Sequence, residues 1–188
     1  MNALRFLRDR RSVPSRLLGE PGPDPAQLRA MLAEAVRVPD HGKLAPWRFL
    51  AIRGDARHAL GGHLATRTLE KDPAAAPAVV DKDRARFSQA PLVLVVVACP
   101  VPGHKVPVQE QLLSGGALCF ALLQAAQALG FGAQWLTGWA AYDPKILALL
   151  GLAEGEQVLG FVHIGTPAGT APERQRPDPD TLLSEWLP

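Results

Sequence analysis

The stretch LVLVVVAC, residues 92–99, decides the fold of this chain. It is a continuous aliphatic run rich in β-branched valine, which is typical of a strand that is covered on both faces. A strand of this kind lies inside a sheet and not at its edge. We therefore expect residues 92–99 to form the centre of a β-sheet.

A long helix is predicted downstream of this strand. Residues 108–129 would span about 33 Å at 1.5 Å per residue. Their second half, ALCFALLQAAQALG (residues 117–130), is apolar on nearly every side. A domain of this size can hardly bury such a helix completely. The helix either runs through the middle of the domain or packs against its copy in a dimer. A dimer is favoured, because obligate interfaces resemble a core cut in half.

Shorter patterns give the remaining elements. Asp24 is a helix N-cap followed by Pro25 in the first turn, and Asn2 would cap a short N-terminal helix that ends near Arg10. Further helices are predicted near residues 56–69 and 144–150, and strands at 47–53, 132–138 and 158–165. Strands and helices that follow one another at uneven spacing favour an α+β domain with a mixed central sheet.

Two segments have a composition that favours loops. The sequence KDPAAAPAVV, residues 71–80, contains two prolines and few packing residues, so we predict a mobile surface segment there. Residues 168–188 are rich in proline and polar residues up to the apolar end LLSEWLP. That composition is suited to an extended arm that lies on another surface.

Length and composition restrict the class of protein. A chain of 188 residues, 47% hydrophobic and 20% charged, is expected to fold as a single domain over residues 1–188. The net charge of +2 gives no reason to expect binding to nucleic acid or to a membrane, and the apolar runs are too short to cross a bilayer. Two cysteines without metal or disulfide spacing, and a start without a signal-peptide pattern, favour a cytoplasmic protein.

Two groups of residues are candidates for a binding site. Arg10, Arg11 and Ser12 lie where a helix gives way to a turn, and guanidinium forks beside a hydroxyl are suited to holding a phosphate. A solvated basic face would show the same spacing. The proline-bracketed loop with Arg37 and His41 is of the kind that carries ligand groups, although a single loop histidine is more often structural. The residues alone leave these alternatives open.

Several common catalytic motifs are absent from the sequence. The glycines at 130 and 132 end a helix and open a strand, which is the wrong polarity for a dinucleotide-binding turn. There is no P-loop and no nucleophile elbow. The five histidines form no i, i+4 pair and no H-E-x-x-H motif, so no metal site is predicted.

Six short motifs follow one another along the chain. They are RRS at 10–12, PDH at 39–41, PW at 46–47, LGFG at 129–132, QWLTG at 134–138 and GFVHIGTP at 160–167. Each is weak alone, but their order and spacing resemble the nitroreductase superfamily, and within it the short bacterial NAD(P)H nitroreductases. The resemblance runs over nearly the whole chain.

This resemblance implies a fold and an activity. The fold is α+β and three-layered, with a central sheet flanked by helices. It is expected as an intertwined homodimer, with the arm 168–188 packed on the partner subunit and one FMN in each of two interface clefts. The activity is a ping-pong hydride transfer from NADH or NADPH through FMN to a small-molecule oxidant such as a nitroaromatic or a quinone.

The resemblance also implies which residues hold the cofactor. The phosphate and ribityl chain would lie against Arg10, Arg11 and Ser12. Two residues, Arg37 and His41, would reach the flavin from the other subunit. The flavin would also be lined by the strand-end residues Trp135, Leu136 and Thr137. A nicotinamide contact is implied for the end of the long helix, at Ala125, Ala126, Gln127, Ala128, Leu129 and Gly130.

The loop between Pro39 and Trp47 departs from the superfamily pattern. Many members carry a serine, an asparagine and a glutamine where this chain has Asp40, Lys43 and Ala45. Polar contacts to the flavin therefore differ, and substrate preference does not transfer. On charge grounds, Arg37 and Lys43 are candidates for a cation beside the pyrimidine edge of the ring. No side chain is assigned as a catalytic acid or base.

Two alternative functions stay open at this point. One is a non-redox module that binds an anion or nucleic acid through the arginine cluster, against which the aromatic content of only 6% argues. The other is a flavin enzyme of the same fold that acts on halogenated substrates or on the flavin itself.

Overall fold

The centre of the molecule is the strand predicted from residues 92–99. The computed structural model describes residues 3–187, so the proposed cap Asn2 lies outside the described residues. Strand β3 (Leu92–Ala98) is buried along its whole length. It lies between β2 (Trp47–Arg53) and β5 (Gln157–Pro167), antiparallel to both. The prediction of a central strand is thus confirmed, with its end one residue earlier.

The sheet has five strands within the described residues. Their order is β1-β5-β3-β2, where β1 is Leu18–Gly19, and β4 (Gly132–Leu136) also pairs with β5. The two-residue strand β1 is too short to give a pattern in the sequence, and the sequence analysis missed it.

The prediction of a mixed sheet is wrong, because every pairing among the described strands is antiparallel. The physical reason is visible between β2 and β3. Two helices, α3 (Asp55–Lys71) and α4 (Pro77–Ala85), form a helical hairpin there. The chain therefore returns to the end of the sheet where β2 stopped, whereas a single crossover helix would have made the pair parallel.

Helices cover both faces of the sheet and make the three layers. In addition to α3 and α4, the described residues form α1 (Ala3–Asp9), α2 (Pro25–Ala35), α5 (Val108–Ala128) and α6 (Pro144–Leu149). The start of α2 is a capping box: the carboxylate of Asp24 accepts from the backbone N–H of Gln27, and Oε1 of Gln27 accepts from the backbone N–H of Asp24. The predicted N-cap and first-turn proline of this helix are confirmed.

Strand β3 contributes to two hydrophobic cores. Leu92, Leu94 and Val96 face α2 and α5. Their neighbours Val93, Val95 and Val97 face the layer that contains α3 and α6. This alternation is the two-residue period of a strand whose faces are both covered. It confirms the expected α+β architecture of a sheet flanked by helices.

Helix α5 lies against the sheet and still exposes apolar side chains. Leu118, Leu122 and Ala126 are buried in the core. On the opposite side of the helix Leu113 is 65% exposed and Phe120 is 44% exposed. The helix therefore runs across the domain and also presents an apolar surface that one protomer does not cover.

The segment 71–80 is not a mobile loop, and that prediction is wrong. Helix α3 continues to Lys71 and α4 begins at Pro77. Val80 is buried, and Gly61 of α3 lies so close to the backbone of Arg84 that there is no space for a side chain. Pro77 marks the start of a helix, and Pro73 lies in the short turn before it.

Residues 168–187 form a mostly exposed arm that follows β5. Apart from a 3-10 turn at Pro179–Thr181 they form no helix or strand. The apolar residues Leu182, Leu183 and Trp186 are each more than 70% exposed. Packing of this arm on a partner subunit stays a prediction. In the part of the chain that the structure describes, no helix has the length and apolarity needed to cross a membrane.

Candidate functional site

The arginine motif lies at the sheet edge formed by β4. Helix α1 ends at Asp9, and the chain then runs beside β4, where the N–H of Val13 donates to the carbonyl of Ala133 at 3.0 Å. The N–H of Ser15 donates to Oε1 of Gln134 at 2.6 Å. These bonds fix residues 10–12 next to the beginning of the strand that ends in the QWLTG motif.

Positive charge is concentrated around Arg10. Its pKa is lowered by partial burial and by the charges of Arg176, Arg11 and Arg174. A guanidinium nitrogen of Arg10 lies 3.5 Å from the hydroxyl of Ser12, and the group lies over the ring of Phe120 at 5.8 Å from its centroid.

The carboxylate that pairs with this cluster is Glu173. It bonds to Arg11 and lies 3.8 Å from Arg176. Two guanidinium groups, those of Arg11 and Arg176, thus pair with this carboxylate, while the charges of Arg11, Arg174 and Arg176 all act on Arg10. The cluster therefore has an excess of positive charge that suits an anion. The sequence analysis missed Arg174 and Arg176, although the run ERQR at residues 173–176 was a visible signal.

The end of β4 presents a free strand edge. No strand pairs with the outer side of β4 among the described residues, so beyond Ala133 the backbone N–H and C=O groups of alternate residues, which point away from β5, have no strand partner. Trp135 is 38% exposed, and its Nε1–H donates to the carbonyl of Leu159 at 3.0 Å. Leu136 is half-buried and Thr137 is exposed. The three predicted residues are therefore accessible at one edge.

A further cation, Arg86, lies at this edge beside a sharp bend at Gly138. Gly138 has φ 117°, a conformation that a residue with a side chain rarely adopts. A nitrogen of the Arg86 guanidinium lies 3.1 Å from the place where a Cβ of Gly138 would stand. Arg86 is thus next to the bend that follows Thr137. No sequence motif indicated Arg86, because its approach to Gly138, some fifty positions along the chain, depends on long-range packing.

Arg86 is held by a buried carboxylate, Asp83. Its Nη2 and Nε donate to Oδ1 of Asp83 at 2.6 and 3.2 Å, and the hydroxyl of Thr68 donates to Oδ2 at 2.8 Å. The indole N–H of Trp139 lies 3.3 Å from both oxygens. Burial opposes ionisation of Asp83, but the bonds from Arg86 and Thr68 outweigh it, so the pKa of Asp83 is below its ordinary value.

His163 is a buried, uncharged neighbour of this pair. Its ring stacks on Phe87 at a centroid distance of 6.1 Å, and its Nδ1 has no hydrogen-bond partner among residues 3–187. Burial, and to a smaller extent the charge of Arg86, lower the pKa of His163 to about 4. The imidazole is therefore neutral at neutral pH and adds no charge beside Arg86.

Arg37 and His41 lie in another part of the protomer. Arg37 is exposed and has Glu34 as its ion-pair partner at 3.7 Å. His41 is also exposed, and its Nδ1 lies 2.7 Å from Oε2 of Glu110 in the first turn of α5. Phe120, which contacts Arg10, is ten residues further along α5, and that is about 15 Å at 1.5 Å per residue. One protomer therefore does not bring these two groups together.

The loop around His41 has an unusual backbone. Lys43 has φ 55° and Ala45 has φ 44°, although neither is glycine. The carboxylate of Asp40 accepts from the N–H of Ala45 at 2.7 Å and so holds the loop in this form. Strained backbone of this kind is concentrated at functional sites. That this loop binds a ligand stays a prediction.

The segment predicted to contact nicotinamide, residues 125–130, forms the end of α5 and packs largely within the protomer. Ala126 is fully buried in the core, so its side chain has no surface for a ligand. Gln127 donates to the carbonyl of Phe6 at 3.4 Å, and Gly130 has the positive φ of a residue that ends a helix. Beside this segment lies a cleft of about 280 Å³, whose wall includes Arg11.

Comparison with known proteins identifies the family. The model of the nitroreductase family matches residues 7–166, which is most of the chain. This chain belongs to the nitroreductase family. It is therefore an oxidoreductase, and the alternative of a non-redox binding module is excluded.

Individual relatives agree with this assignment. The chain is 38% identical over 170 residues to the "Putative NAD(P)H nitroreductase YdjA" of Escherichia coli strain K12, and the match covers 89% of each chain. The crystal structure of a nitroreductase-like protein from Bacillus cereus has a TM-score of 0.84 at 24% identity and covers 100% of this chain and 96% of its own. A nitroreductase from Desulfovibrio desulfuricans, crystallised with FMN, has a TM-score of 0.76 at 22% identity, with 100% and 99% covered.

Proposed function

We propose that this chain is an FMN-dependent NAD(P)H oxidoreductase that reduces small oxidants such as nitroaromatics or quinones. The observation that carries the proposal is the guanidinium cluster around Arg10 beside the free edge of β4. The relative from Escherichia coli is named as an NAD(P)H nitroreductase, and the similar structure from Desulfovibrio desulfuricans was solved with FMN. These names support the proposal.

The cluster suits the phosphate end of FMN. Mutual repulsion contributes to the lowered pKa of Arg10, and a dianion between the guanidinium groups would relieve that repulsion. Arg10, Arg11, Arg174 and Arg176 offer charge-assisted donors, which are the strong hydrogen bonds to phosphate. The hydroxyl of Ser12, 3.5 Å from Arg10, would add a neutral donor.

The strand end suits the ring of the cofactor. Backbone groups at Trp135–Thr137 would bond to its polar edge, and Gly138 leaves space because it has no side chain. FMN, when bound, supplies the hydride chemistry. The protein orients the ring, and Arg86 would stabilise the negative charge that reduction places at its pyrimidine edge. In this chain Arg86 is therefore a stronger candidate for that cation than Arg37 or Lys43.

The complete site requires two protomers. Arg37 and His41 are exposed at the opposite end of α5 from the arginine cluster, and α5 presents apolar residues that one chain leaves uncovered. In a homodimer joined through α5, the loop of one subunit would meet the arginine cluster of the other. Such a pocket would take the nicotinamide cofactor and the oxidant in turn, which gives ping-pong kinetics.

The decisive experiment is cofactor analysis of the purified protein. We expect a yellow protein with one FMN per chain, released on denaturation and taken up again by the apoprotein. A steady-state screen of NADH and NADPH against nitroaromatics, quinones and enones would then identify donor and acceptor. Apoprotein that refolds but binds no FMN would refute the proposal.

A further inference from the structure

Asp83 is a buried charge that the proposed reaction does not use directly. It is 4% exposed, and its two oxygens accept from Arg86, Thr68 and Trp139. A buried carboxylate is costly unless it is paired and hydrogen-bonded. Thr68 and Arg86 belong to the α3–α4 hairpin and Trp139 follows the bend at Gly138, so the carboxylate ties that hairpin to the bend and holds the guanidinium beside it.

Among the groups around Arg86, Asp83 is the one that bonds to its guanidinium and partly compensates its positive charge. His163 is neutral because its pKa is about 4. The ammonium of Lys71 lines the same cleft as Asp83, but it lies over the ring of Trp139 at 4.5 Å from the centroid and 3.9 Å from a carboxylate oxygen of Asp143. Arg86 makes two N–H bonds to Asp83 and so presents to the strand edge only the part of its charge that this carboxylate leaves uncompensated.

We infer that Asp83 is a positioning residue that aims Arg86 at the bend between Thr137 and Gly138 and sets the positive charge that a bound flavin experiences. This inference rests on the proposed function, since it concerns the redox balance of bound FMN. It assigns to the α3–α4 hairpin a role in that balance, because Asp83 and Thr68 belong to this hairpin.

The test is the Asp83→Asn variant with FMN bound. Asparagine keeps the shape and an acceptor oxygen but removes the negative charge, so Arg86 would present a larger positive charge to the ring. Reduced FMN carries more negative charge than oxidised FMN. We therefore expect its affinity to rise relative to that of oxidised FMN by about tenfold, which is an upward shift of ~30 mV in the midpoint potential of a two-electron couple.

A second variant removes a hydrogen bond to Asp83 without changing any charge. Trp139→Phe keeps an aromatic ring for Lys71 but removes the indole N–H that Asp83 accepts. The carboxylate then interacts more strongly with Arg86, and the midpoint potential of FMN should move downward. This variant keeps the inference testable if Asp83→Asn does not fold, which a melting curve of each apoprotein would show.

The matched control is Glu156→Gln. Glu156 also pairs with an arginine, Arg48, at 2.6 Å. It lies five residues along the chain from Phe161, the partner of Leu136 in the sheet, and that is about 16 Å at 3.3 Å per residue. The inference requires this control to keep the wild-type potential. If the Asp83 and Trp139 variants shift the potential no more than the control does, the inference is overturned while the assignment of FMN stands. Failure of the wild type to bind FMN would overturn the proposed function instead.

Discussion

The positive charge of Arg10 is disfavoured by its surroundings. Burial and three other guanidinium groups lower its pKa, and its aromatic contact with Phe120 does not neutralise it. A bound anion would reduce the repulsion among the guanidinium groups of this cluster. The effect of Arg10 should therefore be measured on cofactor retention rather than on folding.

We expect Arg10→Ala to weaken FMN binding by about ten- to a hundredfold, because a hydrogen bond to a charged group contributes roughly 1.5–3 kcal/mol. Fluorescence titration of the apoprotein with FMN would measure the change. Arg29→Ala, which removes an exposed arginine from α2, is the matched control. Equal affinity in the two variants would show that Arg10 does not contact the phosphate.

At the scale of elements, one ion pair ties β2 to the start of β5. Arg48 of β2 donates to both oxygens of Glu156, at 2.7 and 2.6 Å. These bonds, foremost among the causes, lower the pKa of Glu156 to about 2. Because the carboxylate is ionised more readily in the folded chain than in the unfolded chain, the pair stabilises the fold above the ordinary pKa and loses this contribution as the pH falls.

This linkage predicts a pH-dependent stability difference for Glu156→Gln. The variant should melt below the wild type at neutral pH, and the gap should close as the pH falls from 4.5 towards about 2. Thermal melts across this range would measure it. Glu154→Gln, at an exposed position nearby, is the control. A gap that stayed constant down to pH 2 would mean that the charge of Glu156 does not stabilise the fold.

The sequence predicted those elements whose causes are local. The start of α2 depends on Asp24 and Gln27, and β3 depends on its own valines. By contrast, α4 starts in a segment whose prolines resemble a linker, and its stability comes from packing on α3. The antiparallel sheet also depends on how that hairpin returns the chain, which no single segment encodes.

The candidate site was predictable only where a motif carries it. The RRS and QWLTG motifs were found, and the structure brings them to the same edge of the sheet. Arg86 and Asp83 were missed, since their approach to Gly138 depends on long-range packing.

At the scale of the whole molecule, the arm and the exposed side of α5 point to the same arrangement. Leu113 and Phe120 on α5, and Leu182, Leu183 and Trp186 on the arm, are apolar and exposed in one protomer. Large exposed apolar patches mark interaction surfaces. A homodimer would cover both surfaces and would also join the two halves of the proposed site.

We expect sedimentation of the intact chain to show a dimer at micromolar concentration. Truncation after residue 177 keeps Arg174 and Arg176 but removes the apolar end of the arm. The truncated dimer should therefore dissociate at a higher protein concentration than the dimer of the intact chain. The FMN content should fall in parallel with dissociation. A monomer that holds a full complement of FMN would contradict the two-protomer site.

Because β3 contributes side chains to both hydrophobic cores, neither layer of helices can stay packed when the other unfolds. Loss of the packing around Leu94 on one face removes the support of Val95 on the other. We expect chemical denaturation to melt both layers in one cooperative step, so tryptophans on either side of the sheet should report the same midpoint.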